Sequence, residues 1–382
     1  MIIVANMKKK ILILSEKPLD NYNVWSGTMY SMNQAFIEQG YITEWLPTPQ
    51  YTPKQEKLFR FIEKAYHKIF NRGFNKMHFI TKAWISSRLL KKEIKKREFD
   101  ILFAPISAGI IPFLKIKQPI IYLNDANAAQ LFNYNIMFTG FGWLSKKITC
   151  YLEKKTMQNA KVNVFSTFWA ANYAVQHYKI PKKKVIVNMF GTNMFIPKNN
   201  EYTQDVGTFN ILFFAGRWEL KGGPIAYEAY KILKQKYPNI LFTIVGCTPN
   251  LQDPDVKIIP FINKNTADGI HKIHKILTQT NILLLPTRNE AYGVVFCETA
   301  AFGIPSISTK TGGVPEIIVE GKTGYTLPLD AGAEEYAQII ENLILHPEQL
   351  QELSKNARQR YEEVLNWKVW GEKMKEVINH LS

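Results

Sequence analysis

Phe209-Asn-Ile-Leu-Phe-Phe-Ala-Gly216-Arg217-Trp-Glu-Leu-Lys221-Gly222-Gly223 sets the reading of the whole chain. An apolar run of strand length ends at Gly216, two cations follow four residues apart, and two glycines open a helical pattern from Ile225 to Tyr237. Pro238 stops that helix, and Ile240-Leu-Phe-Thr-Ile-Val245 is a second apolar run, closed by Gly246. Continuous rather than alternating apolar strands are buried on both faces. Strand, helix and strand in succession therefore predict a parallel sheet covered by helices. Lys257-Ile-Ile259, Ile282-Leu-Leu-Leu285 and Ile304-Pro-Ser-Ile-Ser308 extend the series.

The upstream half repeats the pattern. Lys10 to Ser15, Asp100 to Ala104, Pro119 to Leu123, Val162 to Phe165 and Lys184 to Val187 read as strands, with a helix from about Gly27 to Gln39 ended by Gly40. At 382 residues the chain suits two domains. Residues 1–193 form the first and 194–366 the second, with a polar linker from Met194 to Thr208. Two doubly wound, Rossmann-like α/β sheets are expected to take ligands at the carboxyl ends of their strands, in the central cleft between the domains.

Composition removes several classes of protein. The chain is 46% hydrophobic and 21% charged, which is ordinary globular usage. Cys150, Cys247 and Cys297 match neither a disulfide framework nor a metal-ligand spacing and read as buried, reduced thiols, which fits a cytoplasmic location. No run approaches the ~18 apolar residues of a membrane helix, and Met1 to Ala5 is too short for a signal core. The net charge of +16 is uneven. Residues 54–97 hold fourteen Lys and Arg against Glu56, Glu63 and Glu93, interleaved with Phe59, Phe61, Phe70, Phe74, Phe79 and Trp84. The stretch reads as a basic amphipathic helix suited to an anionic membrane surface or to solvent. Nucleic acid is not expected, because no zinc-finger, basic-zipper or RNA-binding signature accompanies the charge.

The chemistry concentrates downstream. Arg217 offers a planar fork for phosphate oxygens and Lys221 a compact charge, while Gly216 and the following glycines let the backbone approach an anion. Some seventy residues on, Leu285-Pro-Thr-Arg-Asn-Glu290-Ala-Tyr292-Gly293-Val294-Val295-Phe-Cys-Glu298-Thr299 passes from strand through loop into helix. Val295, Thr299 and Phe302 form an inward stripe that leaves Glu298 facing elsewhere. Glu290 and Glu298 can then face one pocket, with the free amides from Gly293 onward between them for a diphosphate.

Glu290 and Glu298 form an E-x7-E motif, and Gly216-Arg217 with Lys221-Gly222 a G-R…K-G element. With Gly303-x-Pro305 and Thr311-Gly-Gly-Val-Pro-Glu316, all in order across residues 210–330, they resemble family 4 of the retaining glycosyltransferases, which have the GT-B fold. Val187 to Asn193 sits where that family carries an interdomain signature, and Trp367 to the end resembles its helix crossing back to the N-terminal domain. The resemblance implies a hexosyltransferase that moves a sugar from a nucleotide-diphospho-sugar, by default a uridine diphosphate sugar, to a glycan or lipid-linked acceptor. Such an enzyme would build cell-surface polysaccharide or glycolipid as a cytoplasmic or peripheral inner-membrane protein. The first domain would bind the acceptor and the second the donor. It also implies roles. Arg217 and Lys221 would stabilise the departing diphosphate, and Glu290 would lie beside the donor sugar. Gly27, Gly216, Tyr292, Gly293, Val294, Val295, Glu298 and Thr299 would bind the donor, with Glu298 on the ribose. No cofactor or metal is implied.

The N-terminal half departs from the family pattern. One glycine, Gly27, stands in Trp25-Ser26-Gly27-Thr28 where many members have a pair, and Asn124-Asp125 stands where many carry a histidine. Asn124 and Asp125 are the sugar-facing or acceptor-facing candidates. His271 and His274 share a helix with no third ligand nearby and read as solvated. The departures keep two alternatives open: a non-catalytic nucleotide-sugar-binding partner of another transferase, and a sugar-nucleotide epimerase of the same fold.

Overall fold

A computed structural model describes residues 8–22, 24–196 and 208–381. The opening Met1 to Ala5 and most of the expected linker fall outside them. The chain divides into two compact units, residues 1–189 with 371–382, and residues 190–370.

In the first unit six parallel strands stand in the order β2-β1-β3-β4-β5-β6. They are β1 (Lys10–Ser15), β2 (Ile42–Pro47), β3 (Ile101–Pro105), β4 (Ile120–Asn124), β5 (Val162–Phe165) and β6 (Val185–Val187). The helices are α1 (Thr28–Glu38), α2 (Pro53–Phe70), α3 (Ile80–Ile94), α4 (Ala128–Leu131), α5 (Trp143–Asn159) and α6 (Phe168–Gln176). The central strands are mostly apolar and buried because helices cover both faces; Leu12, Leu102, Tyr122 and Phe165 pack with Leu90, Ile94 and Met157. Strand β2 has no apolar run to announce it. It is an edge strand, and its Glu44 is paired with Lys10 of β1 and with Arg97.

The basic stretch is not one helix. Thr52 and Gln55 form a capping box with Pro53 in the first turn, and α2 then ends at Asn71, which is left-handed at φ 46°. Asn71, Arg72 and Gly73 turn the chain, and Phe79 precedes α3. The turn is bonded to a distant segment: Gly73 N donates to Gly140 O and Gly142 N to Gly73 O, both at 3.0 Å.

The second unit repeats the plan with β7 (Phe209–Phe214), β8 (Ile240–Val245), β9 (Val256–Ile259), β10 (Ile282–Leu285), β11 (Ser306–Thr309) and β12 (Gly324–Leu327), all parallel in the order β12-β11-β10-β7-β8-β9. Its helices are α7 (Gly223–Lys236), α8 (Ala267–Thr278), α9 (Val294–Ala300), α10 (Val314–Ile317), α11 (Ala333–Leu345) and α12 (Pro347–Glu363). The two parallel-sheet α/β domains expected from sequence are present. Strands β7 and β10 are neighbours, with Ile211 opposite Ile282 and Leu212 opposite Leu283. Two loops some seventy residues apart in sequence therefore leave the same edge of the sheet side by side. A last helix, α13 (Trp367–Asn379), begins in this unit, where Trp367 Nε1 donates to Thr192 O at 2.8 Å. Its residues from Gly371 on belong to the first unit, where Gly371 lies against Ala35 and Gln39 of α1.

Candidate functional site

Parallel strands deliver their loops to one edge, so the second unit gathers its polar groups at the carboxyl ends of β7, β9 and β10. The loop after β7 carries Gly216 and an exposed Arg217, whose guanidinium has no hydrogen bond or ion pair among the described residues. Lys221 N bonds back to Arg217 O at 3.1 Å and closes the turn. Gly222 then meets the neighbouring loop. Its φ is 73°, and a Cβ there would stand 2.0 Å from Pro286 O. Only glycine permits this approach. Arg288 N bonds to Leu220 O at 3.0 Å and fastens the two loops together.

That contact makes Lys221 and Glu290 partners. The ammonium bonds Glu290 Oε2, and both side chains are about four-fifths buried. Gly293 precedes α9 at φ 90°, with a Cβ position 2.5 Å from the Phe296 ring. Val294 and Val295, half-buried, form the first turn. The helix buries more than the Val295, Thr299 and Phe302 stripe. Phe296, Cys297 and Glu298 are buried as well, so Glu298 does not face solvent. Its carboxylate holds Lys264, from the loop after β9, at 2.7 and 2.8 Å.

Two of the expected donor-binding side chains are committed to the core. Thr299 is fully buried, with its hydroxyl on Val295 O, Phe296 O and Ser306 Oγ at 3.1–3.2 Å. The Tyr292 hydroxyl donates to Phe190 O at 2.6 Å, and burial raises its pKa. Cys297 is buried beside it, its thiol pushed up to about 12 by desolvation. It is an inert thiol. Cys150 and Cys247 are free but half-buried, so the expectation of three buried thiols holds for Cys297 alone.

Three other candidates lie in the first unit. Gly27 is buried and left-handed, preceded by Trp25 and Ser26 at φ 50° and 55°. A non-glycine residue in that region costs ~1–3 kcal/mol and is held there by its surroundings. Asn124 ends β4, its Nδ2 on Tyr122 Oη and its Oδ1 on Asp125 N, both at 3.0 Å. Asn124 and Asp125 are half-buried at the carboxyl edge of their sheet. Beneath this loop lies a group that sequence reasoning missed. Glu153 of α5 is 2% exposed and accepts from Ala128 N at 2.9 and 3.1 Å and from Tyr178 Oη at 2.5 Å. Burial pushes its carboxyl up to about 7. The buried stripe Thr149, Leu152, Glu153 and Thr156 on α5 is the signal that could have found it.

Lys264 was missed too. It is one lysine in a polar loop, and its partner is 34 residues away.

Residues 196–360 match the family model described as Glycosyl transferases group 1, which spans both motif loops. A D-inositol 3-phosphate glycosyltransferase of Arthrobacter sp. (strain FB24) is 25% identical over 188 residues, 46% of this chain and 44% of that protein. The chain thus spans less than half the length of this curated relative. Among solved structures, a sucrose-phosphate synthase from Thermosynechococcus elongatus superposes with a TM-score of 0.66 at 14% identity, covering 98% of this chain and 99% of that one. Anabaena Alr3699/HepE, solved with UDP and glucose, gives 0.61 at 14% identity over 97% and 99%. At these identities the likeness is one of fold. The chain has the GT-B fold, and its segment 196–360 resembles the group 1 glycosyl transferases.

Proposed function

We propose that the protein is a retaining glycosyltransferase that takes a hexose from a nucleotide-diphospho-sugar to a glycan or lipid-linked acceptor. The observation that carries this is the Arg217–Lys221–Glu290 arrangement at the joined ends of β7 and β10. The turn that carries the exposed, unpaired Arg217 also carries Lys221, whose ammonium is paired with Glu290. A diphosphate entering here meets Arg217 first and competes with Glu290 for Lys221. The two cations then oppose the negative charge that grows on the leaving diphosphate, without a metal. Glu290, once released, lies beside the sugar, and Glu298 takes the ribose.

The acceptor side of the proposal rests on the first unit. Phe61 of α2 is 67% exposed, among Lys57, Lys64 and Lys68, and Met137 and Trp143, at 66% and 60%, flank the segment bonded to the turn after α2. Exposed cations beside a large apolar side chain, as around Phe61, suit the interface of an anionic bilayer, where a lipid-linked acceptor resides. No described helix is long and apolar enough to cross a membrane.

The test is calorimetric binding of uridine, guanosine and adenosine diphosphates, with and without sugar, to wild type, Arg217→Ala and Glu298→Ala. One base should bind wild type and fail with both variants. Transfer should survive chelation of divalent ions. If all three proteins bind alike, the site lies elsewhere.

A further inference from the structure

Lys264 belongs to neither motif, yet its ammonium sits between them. It contacts both oxygens of Glu298 at 2.7 and 2.8 Å and stands 4.6 Å from the centroid of the Phe214 ring. Phe214 is the last residue of β7, immediately before the Ala215-Gly216-Arg217 turn. Glu298 lies in the second turn of α9. The one side chain therefore ties the loop after β9 to the strand of the first motif and to the helix of the second.

The burial is unequal, and that decides which partner needs the other. The Lys264 side chain is 30% exposed and that of Glu298 only 5%. An exposed lysine is solvated without a partner, whereas a buried carboxylate stripped of its cation is strongly penalised. The Phe214 ring face is a second contact of the ammonium.

We propose that Lys264 is a positioning residue of the nucleotide site, holding the Glu298 carboxylate aimed so that its remaining lone pairs accept a ribose diol. A carboxylate offers about four acceptor directions over its two oxygens. The ammonium occupies one on each oxygen, which leaves one on each for two adjacent hydroxyls. The diol and Lys264 are thus simultaneous partners of Glu298, not rivals for it. The inference rests on the reading of Glu298 as the ribose carboxylate, and it adds that Glu298 reads the sugar only as a pair with Lys264.

The experiment compares uridine, guanosine and adenosine diphosphates with their 2′-deoxy counterparts on wild type, Lys264→Met, Lys264→Arg, Glu298→Gln and the double variant Lys264→Met/Glu298→Gln. Thermal melting of each protein accompanies the binding. Wild type should prefer the ribose form of its nucleotide by about tenfold. Lys264→Met should bind about tenfold more weakly or worse and lose the ribose preference. Lys264→Arg, which restores a cation, should recover most of both. The double variant should bind no worse than Glu298→Gln alone, because the two side chains act as one unit. A lysine needed only for folding would lower melting and leave the ribose preference intact, and that result overturns the proposal. Tighter binding by Lys264→Met overturns it as well, since it makes the ammonium a competitor of the diol. If Lys264→Met matches wild type while Glu298→Gln loses the nucleotide, the proposal fails and the ribose reading of Glu298 stands. If wild type binds none of the three diphosphates, both fall together.

Discussion

Glu298 in the second unit and Glu153 in the first are the same side chain in the same kind of place, a helix packed against a parallel sheet, and both are under 5% exposed. They are stabilised in opposite ways. Glu298 is held by the ammonium of Lys264. Glu153 is held by neutral donors, the Ala128 amide and the Tyr178 hydroxyl, with Tyr122, Tyr173 and Cys150 as further titratable neighbours and no cation pair among the described residues. A buried carboxylate with a cation beside it has its charge balanced by that neighbour. One with only neutral partners takes up a proton and serves the fold. The second unit sets Lys221 and Lys264 against carboxylates at its strand ends, whereas Lys57, Lys64 and Lys68 of the first lie on its surface.

The largest effect belongs to Arg217, the exposed cation of the loop after β7. Arg217→Ala should lower kcat by about 10²–10³-fold, the cost of removing one donor to a developing anion, ~2.7–4 kcal/mol. Melting should barely change, because the guanidinium is exposed and unpaired. Steady-state rates on the identified donor and acceptor decide it. A loss below about tenfold would move the leaving-group site away from this loop.

Glu153 gives the next effect. Its folded pKa is raised from near 4.5 to about 7, so the folded chain holds a proton that the unfolded chain releases. The contribution is complete below pH ~4.5 and is lost as pH rises to about 7, a span worth on the order of 3 kcal/mol. Urea unfolding at pH 5 and pH 7.5 should show wild type losing stability relative to Glu153→Gln, whose neutral amide has no proton to lose. Parallel curves would mean that the carboxylate stays ionised, and the contrast with Glu298 would collapse.

The outward cations come third. Lys57→Ala with Lys64→Ala should weaken partition onto anionic vesicles by about 2 kcal/mol, roughly thirtyfold, at about 1 kcal/mol per lysine. Nucleotide affinity should be untouched. Wild-type binding that is equally weak on neutral and anionic vesicles would make the basic face a solvated one.

The contrast also explains what could be read in advance. The two sheets were legible because continuous apolar runs such as Phe209–Phe214 report burial on both faces locally. Edge strands β2 and β12 were not, since each pairs with a single neighbour and its sequence, Ile42-Thr-Glu-Trp-Leu-Pro47 or Gly324-Tyr-Thr-Leu327, holds no continuous apolar run. The motif residues were legible because a turn and a helix start hold them at short spacing beside a strand end. Lys264 and Glu153 act through partners 34 and 25 residues away, a distance at which spacing carries no signal. The break at Asn71 was hidden by aromatic and basic residues running on through the turn.

The smallest effect tests Tyr292, which sits between the motif carboxylates in sequence but not in chemistry. Its hydroxyl donates to Phe190 O at 2.6 Å with Cys297 Sγ 3.6 Å away, and the ring packs 5.0 Å from that of Phe190. Tyr292→Phe keeps the ring and removes one buried hydrogen bond, a cost of about 1 kcal/mol. For a unit of this size that lowers Tm by about 2–4 °C. Nucleotide affinity should remain within about twofold, because a hydroxyl already bonded to a backbone carbonyl and shielded from solvent offers nothing to a ligand. The opposite result, unchanged melting with a tenfold loss of nucleotide, would mean that the phenol leaves Phe190 to reach the donor. Tyr292 would then join Lys221 as a side chain whose partner within the protein is expected to give way to the substrate.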